Sequence, residues 1–260
     1  MTTALVTGAS SGIGETFARQ LAAENNNVIL VARSQDKLDL LATELSSKYR
    51  VKATVIPQDL TEFNAGKKLF DAVQAHGLTV DTLINNAGFG DYGAFSDRPL
   101  SKMMMMVQLN VSAVVELTGL FLPLMQERGS GAIVNLSSIA GFQPIPYMSI
   151  YAATKAFVLN FSEALWAENK DRGVRILAVC PGPTESKFYD RADFPDDATG
   201  LNGMTMADSE KVVRESLKAL EKNHSTVVAG GFANHIIVNL PRFVPRDLLV
   251  EAVGKQFKNI

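Results

Sequence analysis

Tyr151 and Lys155 stand four residues apart, in the pattern Tyr-x-x-x-Lys. On a helix that spacing puts both side chains on one face. A free phenol has a pKa of about 10, too high for an efficient base at neutral pH. A neighbouring ammonium favours the phenolate and should lower that value. The pair is therefore a candidate for general acid–base chemistry. The same spacing also arises by chance in helices, so the pair gains meaning only from what surrounds it.

A second cluster lies near the N-terminus, in Thr7-Gly8-Ala9-Ser10-Ser11-Gly12-Ile13-Gly14. It follows an apolar β-branched run and precedes a helical pattern. Glycines there let the chain turn sharply, approach a pyrophosphate and pack a helix on a sheet. The helix start then offers free N–H groups and the positive end of its dipole to phosphates. At the end of the second apolar run, roughly 20 residues past the glycines, a site for NAD usually carries an acid that binds the ribose hydroxyls. Here the chain reads Val31-Ala32-Arg33-Ser34. Arg33 can make charge-assisted hydrogen bonds to a 2′-phosphate, which favours NADP(H). The alternative is a solvated Arg33 with Asp36 as the acid, although Asp36 lies farther along, at the start of the next helix.

These residues need elements to position them. Short apolar runs at Leu5-Val6, Val28–Ala32, Val51–Ile56, Thr82–Ile84, Ala132–Leu136, Val174–Val179 and Thr226–Ala229 read as parallel strands buried on both faces. Helical periodicity lies between them. Leu38, Leu41, Ala42 and Leu45 form one apolar stripe, and Val213, Leu217 and Leu220 another. The alternation predicts an α/β fold, a Rossmann-type doubly wound parallel sheet with right-handed crossovers and helices on both faces. No linker interrupts it, so residues 1–260 are read as one dinucleotide-binding catalytic domain. The polar stretch Phe188–Met206 follows a strand end and reads as a loop over the ligand, with an inert surface insertion as its alternative.

With these parts in place the chain resembles the short-chain dehydrogenase/reductase superfamily, from Thr3 to about Ala229. The resemblance rests on the glycine turn, Asn85-Asn86-Ala87-Gly88, Ser138 ahead of Tyr151-x-x-x-Lys155, and Pro181-Gly182. Ala32-Arg33-Ser34, Asn86-Ala87-Gly88-Phe89-Gly90 and Cys180-Pro181-Gly182-Pro183-Thr184 look like a bacterial-type subgroup of generic reductases. The resemblance implies about seven strands, a homodimer or homotetramer, and hydride exchange between a nicotinamide and a carbonyl or alcohol. It implies a catalytic set of Asn110, Ser138, Tyr151 and Lys155. Tyr151 would move the proton and Ser138 would fix the substrate oxygen. Lys155 would also hold the nicotinamide ribose, and Asn110 would anchor a water leading to solvent. By position, Ser10, Ser11 and Ile13 would line the phosphates beside Gly8, Gly12 and Gly14. Asp59 and Leu60 would flank the adenine, and Asn86, Ala87 and Gly88 would pass beneath its ribose. Pro181, Gly182 and Thr184 would meet the nicotinamide, Thr184 standing slightly earlier than the family's usual threonine. Two alternatives stay open: a relative using the same site for epimerisation or dehydration, and a non-catalytic NADP-binding regulator on the same fold.

The remaining features exclude more than they suggest. The formal net charge is −2, which argues against nucleic acid as a partner. No uninterrupted apolar run approaches the roughly 18 residues of a membrane span, and Met1 to Thr7 does not read as a secretory signal. Cys180 is the single cysteine, so no intrachain disulfide can form; a cytoplasmic location is expected. His76, His224 and His235 match no metal spacing, and no metal is expected. Met103–Met106 cannot all face one way on a helix, so some should pack in the core or at a subunit interface. Phe142, Ile145, Tyr147 and Met148 are candidates, with Phe89 and Tyr92, to line an apolar substrate pocket. The stretch Ile236–Phe257, part of a C-terminal extension at about 236–260, mixes apolar residues with Arg242, Arg246 and Lys255. It could dock on its own subunit, extend an interface or touch a membrane surface, docking being the favoured role.

Overall fold

The computed structural model describes residues 1–185, 188–194 and 206–258. Most of the stretch read as a loop over the ligand, residues 195–205, lies outside the described residues.

Seven strands form one parallel sheet in the order β3-β2-β1-β4-β5-β6-β7. They are β1 (Thr3–Thr7), β2 (Asn27–Ala32), β3 (Ala53–Pro57), β4 (Thr82–Asn85), β5 (Gly131–Leu136), β6 (Val174–Pro181) and β7 (Thr226–Ala229). Alternate residues of each strand feed opposite faces. Val6 and Leu30 belong to one core layer, Leu5 and Ile29 to the other. Helices α1 (Gly12–Ala23), α2 (Gln35–Tyr49) and α8 (Ser209–Glu221) cover the first layer through Phe17, Leu38 and Val213. Helices α3 (Ala65–Ala75) and α5 (Ala113–Arg128) cover the second through Leu69, Leu117 and Phe121. All four residues of the α2 stripe are buried, as their spacing predicts.

The apolar run expected from Val51 pairs two residues later than its hydropathy suggests. Val51 is buried in the first layer without joining the ladder. The edge strand begins only at Ala53, opposite Val28.

The chain leaves β1 toward β2 and β3, and later leaves β4 in the opposite direction toward β7. The carboxyl ends of β1 and β4 therefore border the crevice where open parallel sheets bind ligands.

Helix α4 (Leu100–Val107) runs through a π turn at Gln108–Ser112 into α5, giving one helix from Leu100 to Arg128. By length and composition it could cross a membrane. Here its inner side is packed, with Leu117, Phe121 and Met125 in the core. Met103 and Met106 are buried while Met104 and Met105 are exposed, which resolves the four-methionine run. Helix α6 (Ser149–Glu168) lies against β6, and α7 (Phe188–Arg191), α9 (Phe232–Asn239) and α10 (Arg246–Lys258) gather near the carboxyl ends of the strands that follow the crevice.

Candidate active site

The glycine turn joins β1 to α1. Gly8 has φ +67°, in the left-handed region that favours glycine. A Cβ on Gly14 would lie 2.4 Å from the Gly8 carbonyl oxygen and 2.3 Å from Asn86 Nδ2. Gly14 thus serves close packing of α1 rather than the cavity wall. Gly8, Ser10, Ser11, Gly12 and Ile13 do line the cavity. Ser11 caps α1 without a side-chain hydrogen bond to its first turn. The opening N–H groups of a 12-residue helix are thus left to an incoming anion. A glycine-lined turn opening onto a helix N-terminus fits the pyrophosphate of a dinucleotide.

Thr7, at the start of the glycine turn, laces β1 to β4. Its Oγ1 accepts from the backbone N–H groups of Asn86 (2.9 Å) and Ala87 (3.0 Å) and donates to the Ile84 carbonyl (3.2 Å). Asn86 Nδ2 donates back to the Thr7 carbonyl at 2.8 Å. A threonine ending an apolar strand was the available signal. Asn86, Ala87 and Gly88 consequently line the cavity floor.

At one end of the cavity stand Arg33, Asp59 and Leu60. Arg33 is 69% exposed in its side chain, with Nη1 3.9 Å from Asp59 Oδ2. The other Asp59 oxygen accepts from Thr61 N (2.9 Å) and Thr61 Oγ1 (2.7 Å), so this carboxylate is fixed. Asp36, the competing acid, is exposed in the first turn of α2 and is not among the described lining residues.

At the other end, α6 presents Tyr151 and Lys155. The Lys155 ammonium donates to the Leu136 carbonyl at 2.6 Å and lies 5.8 Å from the centroid of the Tyr151 ring. Ser138, just past β5, lines the cavity beside Tyr151, and its Oγ donates to the Pro181 carbonyl at 3.5 Å. Its Oγ also accepts from Ala140 N at 3.1 Å. The ring of Phe188 covers Tyr151, with centroids 5.2 Å apart.

Burial governs the ionisation here. It pushes the Tyr151 phenol well above its ordinary value, against the opposing hydrogen bond from Ser138. It pushes Lys155 down to about 8. Burial is thus the largest influence on the phenol, with the Ser138 hydroxyl opposing it. Burial likewise lifts the Cys180 thiol to about 12, which leaves it a protonated core residue.

Asn110 occupies the π turn, a wide turn that aims its side chain inward. Its Oδ1 accepts from Phe89 N (3.1 Å), and Nδ2 donates to Phe89 O (2.9 Å) and Thr154 Oγ1 (3.2 Å). It stands behind the cavity wall rather than in it. A Cβ on Gly88 would meet Asn110 Oδ1 at 2.9 Å and Lys155 Nζ at 3.6 Å, so both converge on that glycine.

Pro181, Gly182 and Thr184 line the cavity above. Thr184 Oγ1 donates to the Gly182 carbonyl at 2.9 Å, and Gly182 packs on Asn234 of α9.

The cavity continues past Tyr151 with a volume of about 1010 Å³ in all. Phe89, Ile145 and Met148 line it as expected, but Phe142, Tyr147 and Tyr92 do not. Phe142 packs with Leu159 and Cys180, while Tyr92 stacks on Phe194 and donates to the Phe257 carbonyl at 2.7 Å. Tyr147 has φ +66° and sets its ring against Tyr92. Tyr189 and Phe194, from the stretch expected over the ligand, line it too, and Leu249, Val253 and Phe257 of α10, which no sequence pattern marks as pocket residues, supply further apolar walls. No group of three metal-ligating side chains occurs among the described residues.

The family model described as short chain dehydrogenase matches residues 2–193. The very-long-chain 3-oxoacyl-CoA reductase of Bos taurus is 39% identical over 187 residues, covering 68% of this chain and 58% of the relative. The chain thus spans less than two thirds of the length of that relative. Among solved structures, a short-chain dehydrogenase from Sphingobium yanoikuyae in complex with NADPH superposes with a TM-score of 0.82 at 30% identity, over 100% of this chain and 96% of the other. A structure described in terms of 7β-hydroxysteroid dehydrogenase stereoselectivity gives 0.86 at 26% identity, over 97% and 96%.

Proposed function

The chain belongs to the short-chain dehydrogenase family, and from that premise we propose that it is an NADPH-dependent oxidoreductase interconverting a bulky apolar carbonyl compound and its alcohol. One observation carries the reading: Tyr151, Ser138 and Lys155 meet where the glycine-lined end of the cavity joins its apolar end. Polar chemistry is concentrated at that junction, and the walls beyond it are aromatic and aliphatic.

Gly8, Ser10, Ser11, Gly12 and Ile13 would hold the pyrophosphate, and Arg33 the 2′-phosphate. Asp59 and Leu60 would flank the adenine. Asn86, Ala87 and Gly88 would support the ribose, and Pro181, Gly182 and Thr184 would seat the nicotinamide. NADPH bound there supplies the hydride. The Ser138 hydroxyl holds the substrate oxygen by a hydrogen bond. The Tyr151 phenol gives its proton to that oxygen and is left as the phenolate; in alcohol oxidation the phenolate takes the hydroxyl proton and becomes the phenol. Lys155 places a buried cation beside the phenol and limits charge build-up there. Asn110 acts through Phe89 and Gly88 as a positioning residue. Water is kept from the reacting atoms by Phe188 above Tyr151 and by the apolar walls.

Tyr151→Phe tests the assignment, because it removes only the hydroxyl. Turnover of an apolar ketone with NADPH should fall by about 10²–10⁴-fold, while NADPH titrated by fluorescence binds as before. Ketone reduction at the original rate would remove Tyr151 from the chemistry. A wild-type protein that binds NADPH but reduces no carbonyl and oxidises no alcohol would favour a regulator.

A further inference from the structure

Helices α9 and α10 have two sides. Val238, Leu249 and Val253 are buried. On the other side Phe232 (79%), Ile236 (57%), Leu240 (46%) and Phe243 (83%) are exposed. Phe232 and Ile236, four apart, share one face of α9, and Leu240 and Phe243 follow in and just after the 3-10 turn Leu240–Arg242. Large apolar side chains exposed singly need no explanation, but a contiguous stripe of them does.

Charge beside the stripe says what could cover it. A shallow cavity of about 480 Å³ next to Phe232 is walled by Lys211, Lys218 and Lys222, with His235. Glu215, the acid in that wall, accepts from the Gly230 backbone N–H at 3.0 Å and pairs with Lys211 at 4.0 Å, so Lys218 and Lys222 carry the positive charge of the patch. Arg242 stands just before Phe243, and Arg246 just past it. From Gly230 to the end the chain has four Lys or Arg against two acids, in a protein whose formal net charge is −2. Cations thus stand beside the exposed aromatic and aliphatic side chains of this segment. That pairing matches the interfacial region of a bilayer: anionic headgroups for the lysines, the acyl boundary for the phenylalanines. Leu240 also links the stripe to the catalytic cavity, since it is half-exposed and lines that cavity with Ile237.

We propose that the α9–α10 face docks on an anionic lipid surface and sets the rim of the apolar cavity against it. An apolar substrate dissolved in the membrane would then reach the cavity without crossing water. The inference rests on exposure and charge, not on the assigned reaction, so it stands or falls apart from the catalytic test.

The experiment is flotation of the full chain with two kinds of vesicle, phosphatidylcholine alone and phosphatidylcholine mixed with phosphatidylserine. Binding is expected to the mixed vesicles and to weaken as salt is raised. The double variant Phe232→Ser, Phe243→Ser should bind roughly tenfold or more weakly. Lys218→Gln with Lys222→Gln should lose roughly tenfold and most of the salt dependence. All four substituted side chains being at the surface, unchanged melting temperatures would show that the variants remain folded. No binding to either vesicle, equal binding to both, or variants that bind like the parent would each overturn the proposal. So would light scattering that finds self-association abolished by the serine variant in the absence of vesicle binding; a second copy would then cover the face.

Discussion

The Lys155 ammonium is a single buried cation held mainly by one carbonyl, at 2.6 Å. Burial puts its folded pKa at about 8, below the ordinary lysine value of 10.5. A depressed lysine has a definite sign in stability. Between pH 8 and 10.5 the unfolded chain keeps this proton and the folded chain has lost it, so stability rises with pH by about 1.4 kcal/mol per unit. Below pH 8 both states are charged and the slope vanishes. Cys180 and Tyr151, whose folded values are raised, act in the opposite sense from about pH 9 and about pH 10 upward, equally in the parent and in a Lys155 variant. We therefore expect the difference in unfolding free energy between the parent and Lys155→Met to change between pH 8 and 10 and to be flat from pH 6 to 7.5, measured by urea denaturation. A difference independent of pH across both ranges would mean that the ammonium stays charged in the fold. The identity of these two residues was legible from spacing alone. Their ionisation was not, because the desolvation comes from groups distant in sequence, including Phe188, which the fold brings over the ring.

The elements were legible where one periodicity ruled. Each of the seven apolar runs became a strand, and the stripes of α2 and α8 are buried. Less visible were features made by side chains meeting across elements. The π turn at Asn110 has no periodic signature, since it is one local break in an otherwise unbroken helix. Nor does the sequence announce the ion cluster that ties the segment after α7 to α4. Buried Asp91 accepts from Arg98 Nε at 2.7 Å and pairs with Lys102 at 2.6 Å, and both cations also reach Asp193. Burial alone would raise the Asp91 carboxyl; the hydrogen bonds from Arg98 and Lys102 outweigh it and hold it below the ordinary range. The stabilisation is therefore present above that range and fades as pH falls through the folded value. Arg98→Met should cost about 1–3 kcal/mol at neutral pH, because Asp91 stays buried with Lys102 as its remaining cation. Chemical denaturation at pH 7 and below pH 4 checks this, with the cost shrinking in acid. Since Asp193 lies beside Phe194 of the substrate wall, KM should rise more than kcat falls. An equal cost at both pH values would remove the carboxylate from the explanation.

At the scale of the molecule, the strand order puts both halves of the site at one crevice. Thr7 bridges the ends of β1 and β4, Arg33 follows β2, and Ser138 follows β5. The Rossmann-type topology could be read from the order of strands and helices, while the α10 contribution to the pocket could not. Its docking depends on Leu249 and Val253 meeting Ile145 and Met148, a contact no local pattern encodes. A dinucleotide lying along this crevice would touch segments from β1 through β6, so its binding should report on the whole fold. Ligand at about 100 times its dissociation constant adds about 2.7 kcal/mol to unfolding, which for a domain of this size raises Tm by roughly 5–10 °C. If Arg33 meets a 2′-phosphate, NADPH should give that rise at concentrations where NADH gives little. Arg33→Ala should weaken NADPH by roughly tenfold, the arginine being mostly exposed, and leave NADH where it was. Thermal shifts with the two cofactors on both proteins decide the matter. Equal shifts from NADPH and NADH on the parent would sink the role given to Arg33. A loss of both in the variant would make Arg33 a support for the adenosine end, acting through Asp59 rather than as a phosphate ligand.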